Sequence, residues 1–187
     1  MEHQETFRLA SYAALFVLLL VSGATDIMRN KVYNWCTFPG MGLGLALSYL
    51  AGGVYDGPGY NLVNSLMALA AGGGIILVFS LLGGIGMGDV KLMAAVGALV
   101  GFPLVLGTLL YASLVGFVMA AGLLIWRGKV VEGLKGSARF AFRWRKPAAP
   151  APVPEGAQAA EKRPADTIPF GTAIALGTLI AFLLSAK

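Results

Sequence analysis

The chain has 187 residues, of which 57% are hydrophobic and only 12% charged, and it carries a formal net charge of +5. Because a soluble globular domain has about 25% charged residues, this composition excludes that class and predicts a protein of the lipid bilayer. The single cysteine, Cys36, excludes an intrachain disulfide, and the sequence has no cysteine–histidine cluster for a structural zinc, so we expect neither metal nor cofactor.

Six apolar runs predict the fold. They cover residues 9–25, 35–51, 62–82, 90–102, 104–126 and 168–185. Because a helix needs about 20 apolar residues to cross a bilayer, we expect an all-α polytopic membrane protein with about six transmembrane helices and a single domain over residues 1–187. The fourth run has only about 13 residues, so we expect a short or tilted helix that its neighbours support.

The positions of the basic residues predict how these helices are oriented. Twelve of the fourteen Lys and Arg residues fall in the segments 26–34, 83–91 and 127–167. Connections on the cytoplasmic side of a membrane are enriched in Lys and Arg, so we expect these three segments in the cytoplasm and both termini outside. This charge distribution is typical of membrane topology, and we expect no nucleic-acid partner.

Two pairs of glycines predict close packing between helices. Gly40 with Gly44, and Gly97 with Gly101, have the small-xxx-small spacing that lets helix backbones approach each other in a membrane. The alternative is that glycine is simply common in membrane helices. Neither pair indicates a function.

The long connection before the last helix has two parts. In residues 127–146, apolar residues recur at helical spacing between basic ones, so we expect this segment to lie in the headgroup layer against anionic lipid. A solvated basic loop is the alternative. Residues 147–166 are rich in Ala and Pro, with few large apolar groups, and predict a flexible cytoplasmic linker.

Two aspartates lie at the edges of the predicted membrane helices. Asp26 ends the first helix, and Asp89 begins the fourth, more than sixty positions later. An ionisable group in or beside a membrane segment is costly, and it is therefore a functional candidate by default. The predicted topology brings both aspartates to the same cytoplasmic boundary, where they can meet.

Two carboxyl groups that meet in this way have a known chemical use. They do not both ionise readily at close range, so one keeps a proton near neutral pH. The charged member then takes a proton from a bound water while the protonated member hydrogen-bonds the scissile carbonyl. Which aspartate is protonated at rest is left open, because such a pair titrates as a unit.

The residues before Asp89 include Gly86 and Gly88. Because glycine has no side chain, an extended substrate backbone can approach closely, and the loop gains dihedral freedom. The alternative is a flexible loop followed by an aspartate that caps a helix.

Three segments resemble the type IV prepilin peptidases. Residues 86–91, Gly-Met-Gly-Asp-Val-Lys, resemble the Gly-x-Gly-Asp-x-Lys signature of that family, and residues 26–35 resemble its first-aspartate segment. Residues 168–171, Ile-Pro-Phe-Gly, are similar to its closing segment. One position departs from the family pattern, because Tyr33 stands where proline is typical, and this affects the expected turn shape but not the acid.

The resemblance implies roles for particular residues. Asp26 and Asp89 would be the catalytic acids, and Gly86 and Gly88 would shape the loop of the second acid. Lys91 and Asn34 also match motif positions, and they would support the site or the substrate. For Lys91, pairing with an acid of the site or substrate and snorkelling to the interface remain alternatives.

The resemblance also implies a reaction. An aspartic endopeptidase of this family removes the leader peptide from a prepilin or pseudopilin at the cytoplasmic face of a prokaryotic inner membrane. Larger members carry a four-cysteine domain between the first helix and the peptidase core, associated with methylation of the new amino terminus. Runs 9–25 and 35–51 of this chain leave no room for such a domain between the first two helices, so methylation is not expected and the chain resembles the short, tight-adherence (Flp-type) peptidases. An archaeal preflagellin-type relative is an alternative.

Two other functions compete with this one. An intramembrane-cleaving protease of the presenilin or signal-peptide-peptidase type would use the same pair of acids deeper in the bilayer. A non-catalytic scaffold or carrier would use the aspartates to bind a cation or to end helices.

Overall fold

The computed structural model describes residues 2–29, 32–55, 59–81, 85–126 and 170–185. Within these residues it contains six helices and no strand. The helices are α1 (Glu2–Arg29), α2 (Asn34–Gly52), α3 (Leu62–Leu81), α4 (Met87–Val100), α5 (Leu104–Trp126) and α6 (Phe170–Ser185). Each of the six apolar runs is therefore a helix, and the predicted all-α class is confirmed.

Three of these helices are long and apolar enough to cross a membrane, namely Gln4–Arg29, Leu62–Leu81 and Leu104–Trp126. Many large apolar side chains are exposed on the helices, including Phe16, Phe79 and Leu110. Water would disfavour so much exposed apolar surface, whereas lipid accommodates it. The chain is therefore a polytopic membrane protein, and its outside–outside orientation stays a prediction.

Helix α4 lies at the centre of the packing. Eleven of its 14 residues are buried, and it contacts α1, α2, α3 and α6. Leu92, Met93 and Leu99 are fully covered by these neighbours. A helix surrounded by protein has no apolar stripe on one side only, and it does not need the length of a lipid-facing span. The prediction of a short helix supported by its neighbours is confirmed.

Glycines allow this close approach. A Cβ added at Gly44 would lie 2.7 Å from the carbonyl carbon of Ala98, and one added at Gly97 would collide with the carbonyl oxygen of Ala68. The predicted packing role is confirmed for both residues. A Cβ added at Gly101 would lie 2.8 Å from Asn64 Oδ1 of α3, and this glycine also follows the last residue of α4, with a φ of 71°. With a ψ of −177°, it ends the helix in a backbone conformation that residues other than glycine rarely adopt.

One end of the bundle is held by neutral polar groups. The Tyr60 hydroxyl is buried, 2.8 Å from Ser11 Oγ and 3.3 Å from the carbonyl oxygen of Gly44. The Asn64 side chain accepts a hydrogen bond from the Phe102 N–H at 2.5 Å and donates one to the Phe102 carbonyl at 3.1 Å. We call Ser11, Tyr60, Asn64 and Phe102 the tyrosine end.

The chain divides into two compact units, Met1–Gly116 with Pro169–Lys187, and Phe117–Ile168. All contacts given above belong to the first unit. In the second unit the described residues are 117–126, the last part of α5. The single domain, the interfacial segment 127–146 and the linker 147–166 stay predictions, because residues 127–169 lie outside the described residues.

Candidate active site

Helix α1 places Asp26 in its last turn, where the side chain is only 1% exposed. One of its carboxylate oxygens, Oδ2, accepts a hydrogen bond from the backbone N–H of Thr172 at 3.0 Å and a second from Thr172 Oγ1 at 3.4 Å. The first N–H groups of a helix have no partner within the helix. The start of α6, near the C-terminal end of the sequence, therefore supplies hydrogen-bond donors to the buried acid of α1.

A glycine makes this contact possible. A Cβ added at Gly171 would lie 2.8 Å from Asp26 Oδ2 and 3.2 Å from Val32 Cγ2. Contacts this short require a neighbour to move, so only glycine lets the start of α6 come so close. Sequence reasoning found the closing segment that includes Gly171 but missed its contact with Asp26 and missed Thr172 altogether. The available signal was a Gly-Thr pair directly at the start of the last helix.

Asp89 is the third residue of α4 and is 2% exposed. The N-cap residue of this helix is Gly86, with an extended backbone, and the N–H groups of Asp89 and Val90 donate to its carbonyl at 3.1 and 3.4 Å. The capping interpretation of Asp89 therefore does not hold at the N-cap position, which glycine occupies. Asp89 lies instead inside the first turn, where the positive end of the helix dipole favours an acid.

The two aspartates come to one neighbourhood around Val32. A Cβ added at Gly88, next to Asp89, would lie 3.2 Å from Val32 Cβ. Gly171, which contacts Asp26, faces the same valine at 3.2 Å. Since α1 ends here and α4 and α6 begin here, these helix termini lie at one end of the first unit. We call Asp26, Val32, Asp89, Gly171 and Thr172 the aspartate end.

The two remaining motif residues bind each other. Lys91 Nζ donates a hydrogen bond to Asn34 Oδ1 at 2.9 Å, and it lies 5.3 Å from the centre of the Phe38 ring. A cation over an aromatic ring is attracted to its π face. Lys91 thus connects the N-terminal part of α4 to the start of α2, a contact that the sequence did not predict.

Tyr33 shows how the turn forms without the typical proline. Its backbone is extended, with φ −87° and ψ 135°, which is close to the polyproline values of about −75° and 145°. Its hydroxyl accepts a hydrogen bond from Arg29 Nη1 at 3.1 Å. The local shape that proline would impose is therefore present, and α2 begins directly afterwards.

An open groove of about 370 Å³ lies beside the end of α1. Its lining combines apolar and aromatic side chains with one exposed guanidinium, and consists of Thr25, Met28, Arg29, Tyr33 and Trp35. A groove of this volume is at the lower end of the range for small-molecule sites. It can take a side chain or a short extended segment next to the turn that carries Asp26.

Fold and site together define a helical membrane protein with two buried acids gathered at one end of its helices. A model of the type IV leader peptidase family matches residues 13–121, which is more than half of the chain. The chain belongs to this family and is therefore a peptidase of the membrane. No match is found among curated proteins or among solved structures.

Proposed function

We propose that this protein is an aspartic endopeptidase that removes the leader peptide from prepilins or pseudopilins at the cytoplasmic face of a prokaryotic inner membrane. The observation that carries the proposal is the burial of Asp26 and Asp89, which are 1% and 2% exposed, around one valine at a single end of the bundle. Burying a carboxyl group is unfavourable. Because this chain belongs to a family of peptidases, we infer that the two buried acids are kept for catalysis.

In the proposed reaction one water molecule lies between the two acids. The ionised aspartate takes a proton from the water, whose oxygen attacks the scissile carbonyl carbon while the protonated aspartate hydrogen-bonds the carbonyl oxygen. The resulting tetrahedral diol collapses as the C–N bond breaks and a proton passes to the leaving amine. No covalent intermediate forms, and Asp26 and Asp89 act as one titrating unit.

The other motif residues serve this pair in supporting roles. Gly86 is the extended N-cap residue before α4, and Gly88 leaves the space that Val32 approaches. The hydrogen bond between Lys91 and Asn34 joins the starts of α4 and α2. We infer that this bond keeps the turn of Asp89 in register with the segment that follows Asp26.

Co-expression with a prepilin from the same organism tests the proposal. Asp26→Asn and Asp89→Asn keep the side-chain shape but remove the titrating group. A gel should therefore show unprocessed prepilin with either variant, although each variant is present in the membrane at the wild-type level. Asp56→Asn makes the same chemical change outside the motifs and should process normally. Retained processing by either of the first two variants would defeat the proposal.

The position of the cut separates this function from its closest rival. Mass spectrometry of the product should find the new amino terminus between the basic leader and the apolar helix of the substrate. A cut inside the apolar segment would instead indicate an intramembrane-cleaving protease. Absence of any cleavage by the wild-type protein with all candidate prepilins would favour a non-catalytic role.

A further inference from the structure

The start of helix α6 contacts Asp26 through a residue outside the matched part of the chain, which ends at residue 121. Thr172 supplies two donors to Asp26, its backbone N–H at 3.0 Å and its hydroxyl at 3.4 Å, and both reach the same carboxylate oxygen. The proposed mechanism uses the acid but assigns no role to this contact.

We propose that Thr172 is a positioning residue that fixes the orientation of the Asp26 carboxylate for the reaction, an inference that rests on the proposed function. An aspartate side chain rotates about two bonds, whereas a backbone N–H in a helix is held by its neighbours. A hydrogen bond to Oδ2 therefore sets the direction of the whole carboxylate. Displacement of a reacting group by about 1 Å is enough to lower a rate about 100-fold.

Gly171 is the second part of this arrangement. Any side chain at this position would begin 2.8 Å from Asp26 Oδ2 and 3.2 Å from Val32 Cγ2. It would push the carboxylate away from the Thr172 amide or push α6 away from α1. Glycine is thus the residue that permits the hydrogen bond, and Thr172 is the residue that makes it.

A purely structural role for the same contact predicts something different. Unsatisfied N–H groups at a helix start are stabilised by any suitable acceptor, so Asp26 could serve only to cap α6. Loss of the contact would then lower the stability of the protein and leave the turnover of folded molecules unchanged. Loss of a positioning contact lowers kcat at nearly constant KM.

The experiment uses the purified full-length protein in detergent with a prepilin from the same organism. Thr172→Pro removes an N–H of the first turn of α6, where N–H groups have no partner within the helix, and Gly171→Ala displaces the carboxylate. We expect both to lower kcat about 10- to 100-fold, with KM within about twofold of wild type. Thr172→Ser keeps the backbone N–H and the hydroxyl and should have wild-type turnover.

Gly23→Ala is the matched control, because it adds a methyl group between the same two helices at an ordinary distance of 3.7 Å from Ala175. It should have wild-type turnover. If its kcat falls as much as that of Gly171→Ala, general crowding between α1 and α6 explains the loss of turnover, and the inference is overturned. If Thr172→Pro does not accumulate in the membrane, Gly171→Ala decides the question.

Two failures are distinguishable. Wild-type kcat in Thr172→Pro and Gly171→Ala, together with an inactive Asp26→Asn, would overturn the positioning role and leave the proposed function intact. An active Asp26→Asn would instead overturn the proposed function itself.

Discussion

The tyrosine end and the aspartate end of the bundle use polar groups in opposite ways. At the tyrosine end, neutral groups bond to one another and to backbone, as Tyr60 does with Ser11 and Asn64 does with Phe102. At the aspartate end, two ionisable groups are buried, and glycines leave the space around them. Neutral hydrogen-bonded pairs stabilise a membrane fold. Burying an acid is instead energetically unfavourable and is typical of a functional site. We therefore expect changes at the first end to affect stability and changes at the second to affect turnover.

The largest expected effect on stability comes from a glycine near the tyrosine end. Gly97→Leu would drive a side chain into the backbone of α3 at Ala68, so we expect a loss of about 3 kcal/mol in unfolding free energy, or more. Membrane abundance and total activity should fall together. Gly74→Leu makes the same change where a Cβ meets nothing within 4 Å and should keep normal abundance.

A smaller loss of stability is expected for Tyr60→Phe. The substitution removes a buried hydroxyl within 2.8 Å of Ser11 Oγ, and the loss should be about 1–3 kcal/mol. Turnover per folded molecule should stay at the wild-type value, because the residue lies away from the acids. Thermal unfolding in detergent and an activity assay on the same samples measure both quantities. Lost turnover at unchanged stability would break the comparison between the two ends.

Tyr60 also gives the tyrosine end a pH dependence. Burial raises the pKa of its hydroxyl above the ordinary value of 10.0, and this outweighs the opposite effect of its hydrogen bonds. An acid with a raised folded-state pKa contributes stability that is fully present below the unfolded pKa and is lost as the pH rises through the folded value. The melting temperature of the wild type should thus fall above pH 10, and that of Tyr60→Phe should fall less. An equal fall in both proteins would contradict this assignment.

At the aspartate end, a moderate effect is expected from the bond between Lys91 and Asn34. Both Lys91→Met and Asn34→Leu remove a hydrogen bond worth about 0.5–1.5 kcal/mol, so kcat/KM should fall about two- to tenfold in each. The double variant should be no worse than the worse single variant, because both changes break one contact. Losses that multiply would show that the two residues act separately.

The smallest effect is expected at Cys36. Its sulfur lies 4.0 Å from Ser22 Oγ, and the thiol has the role of a small packing group. Cys36→Ala should change stability by about 0.5 kcal/mol or less and leave turnover unchanged, as measured by the same two assays. Strong inactivation would show that the aspartate end includes a thiol with a chemical role.

The sequence predicts the helices well because apolar runs have a direct physical meaning in a membrane. Helix α1 is longer than its run of 9–25, since Glu, Gln and Arg at its ends are good helix formers. Asp26 and Asp89 could also be singled out as candidates, because acidic residues inside membrane helices are rare and seldom face lipid. The bond between Lys91 and Asn34 was not predictable, since a motif position does not specify a partner.

Contacts between distant segments mark the limit of sequence reasoning. Thr172 bonds to Asp26 across 146 positions, and Tyr60 meets Ser11 across 49. No periodicity or spacing connects such residues, because their proximity depends on how complete helices pack. Gly101 illustrates the same point locally, since its spacing predicts a helix face and its positive φ makes it a helix end.

A double-mutant cycle on kcat/KM tests most directly whether Asp26 and Asp89 form one catalytic unit. Asp26→Asn and Asp89→Asn should each lower kcat/KM by at least about 1,000-fold, and the double variant should fall no further, because groups that act together are not additive. A single variant that keeps more than about a tenth of the wild-type value, or two losses that multiply, would contradict the account.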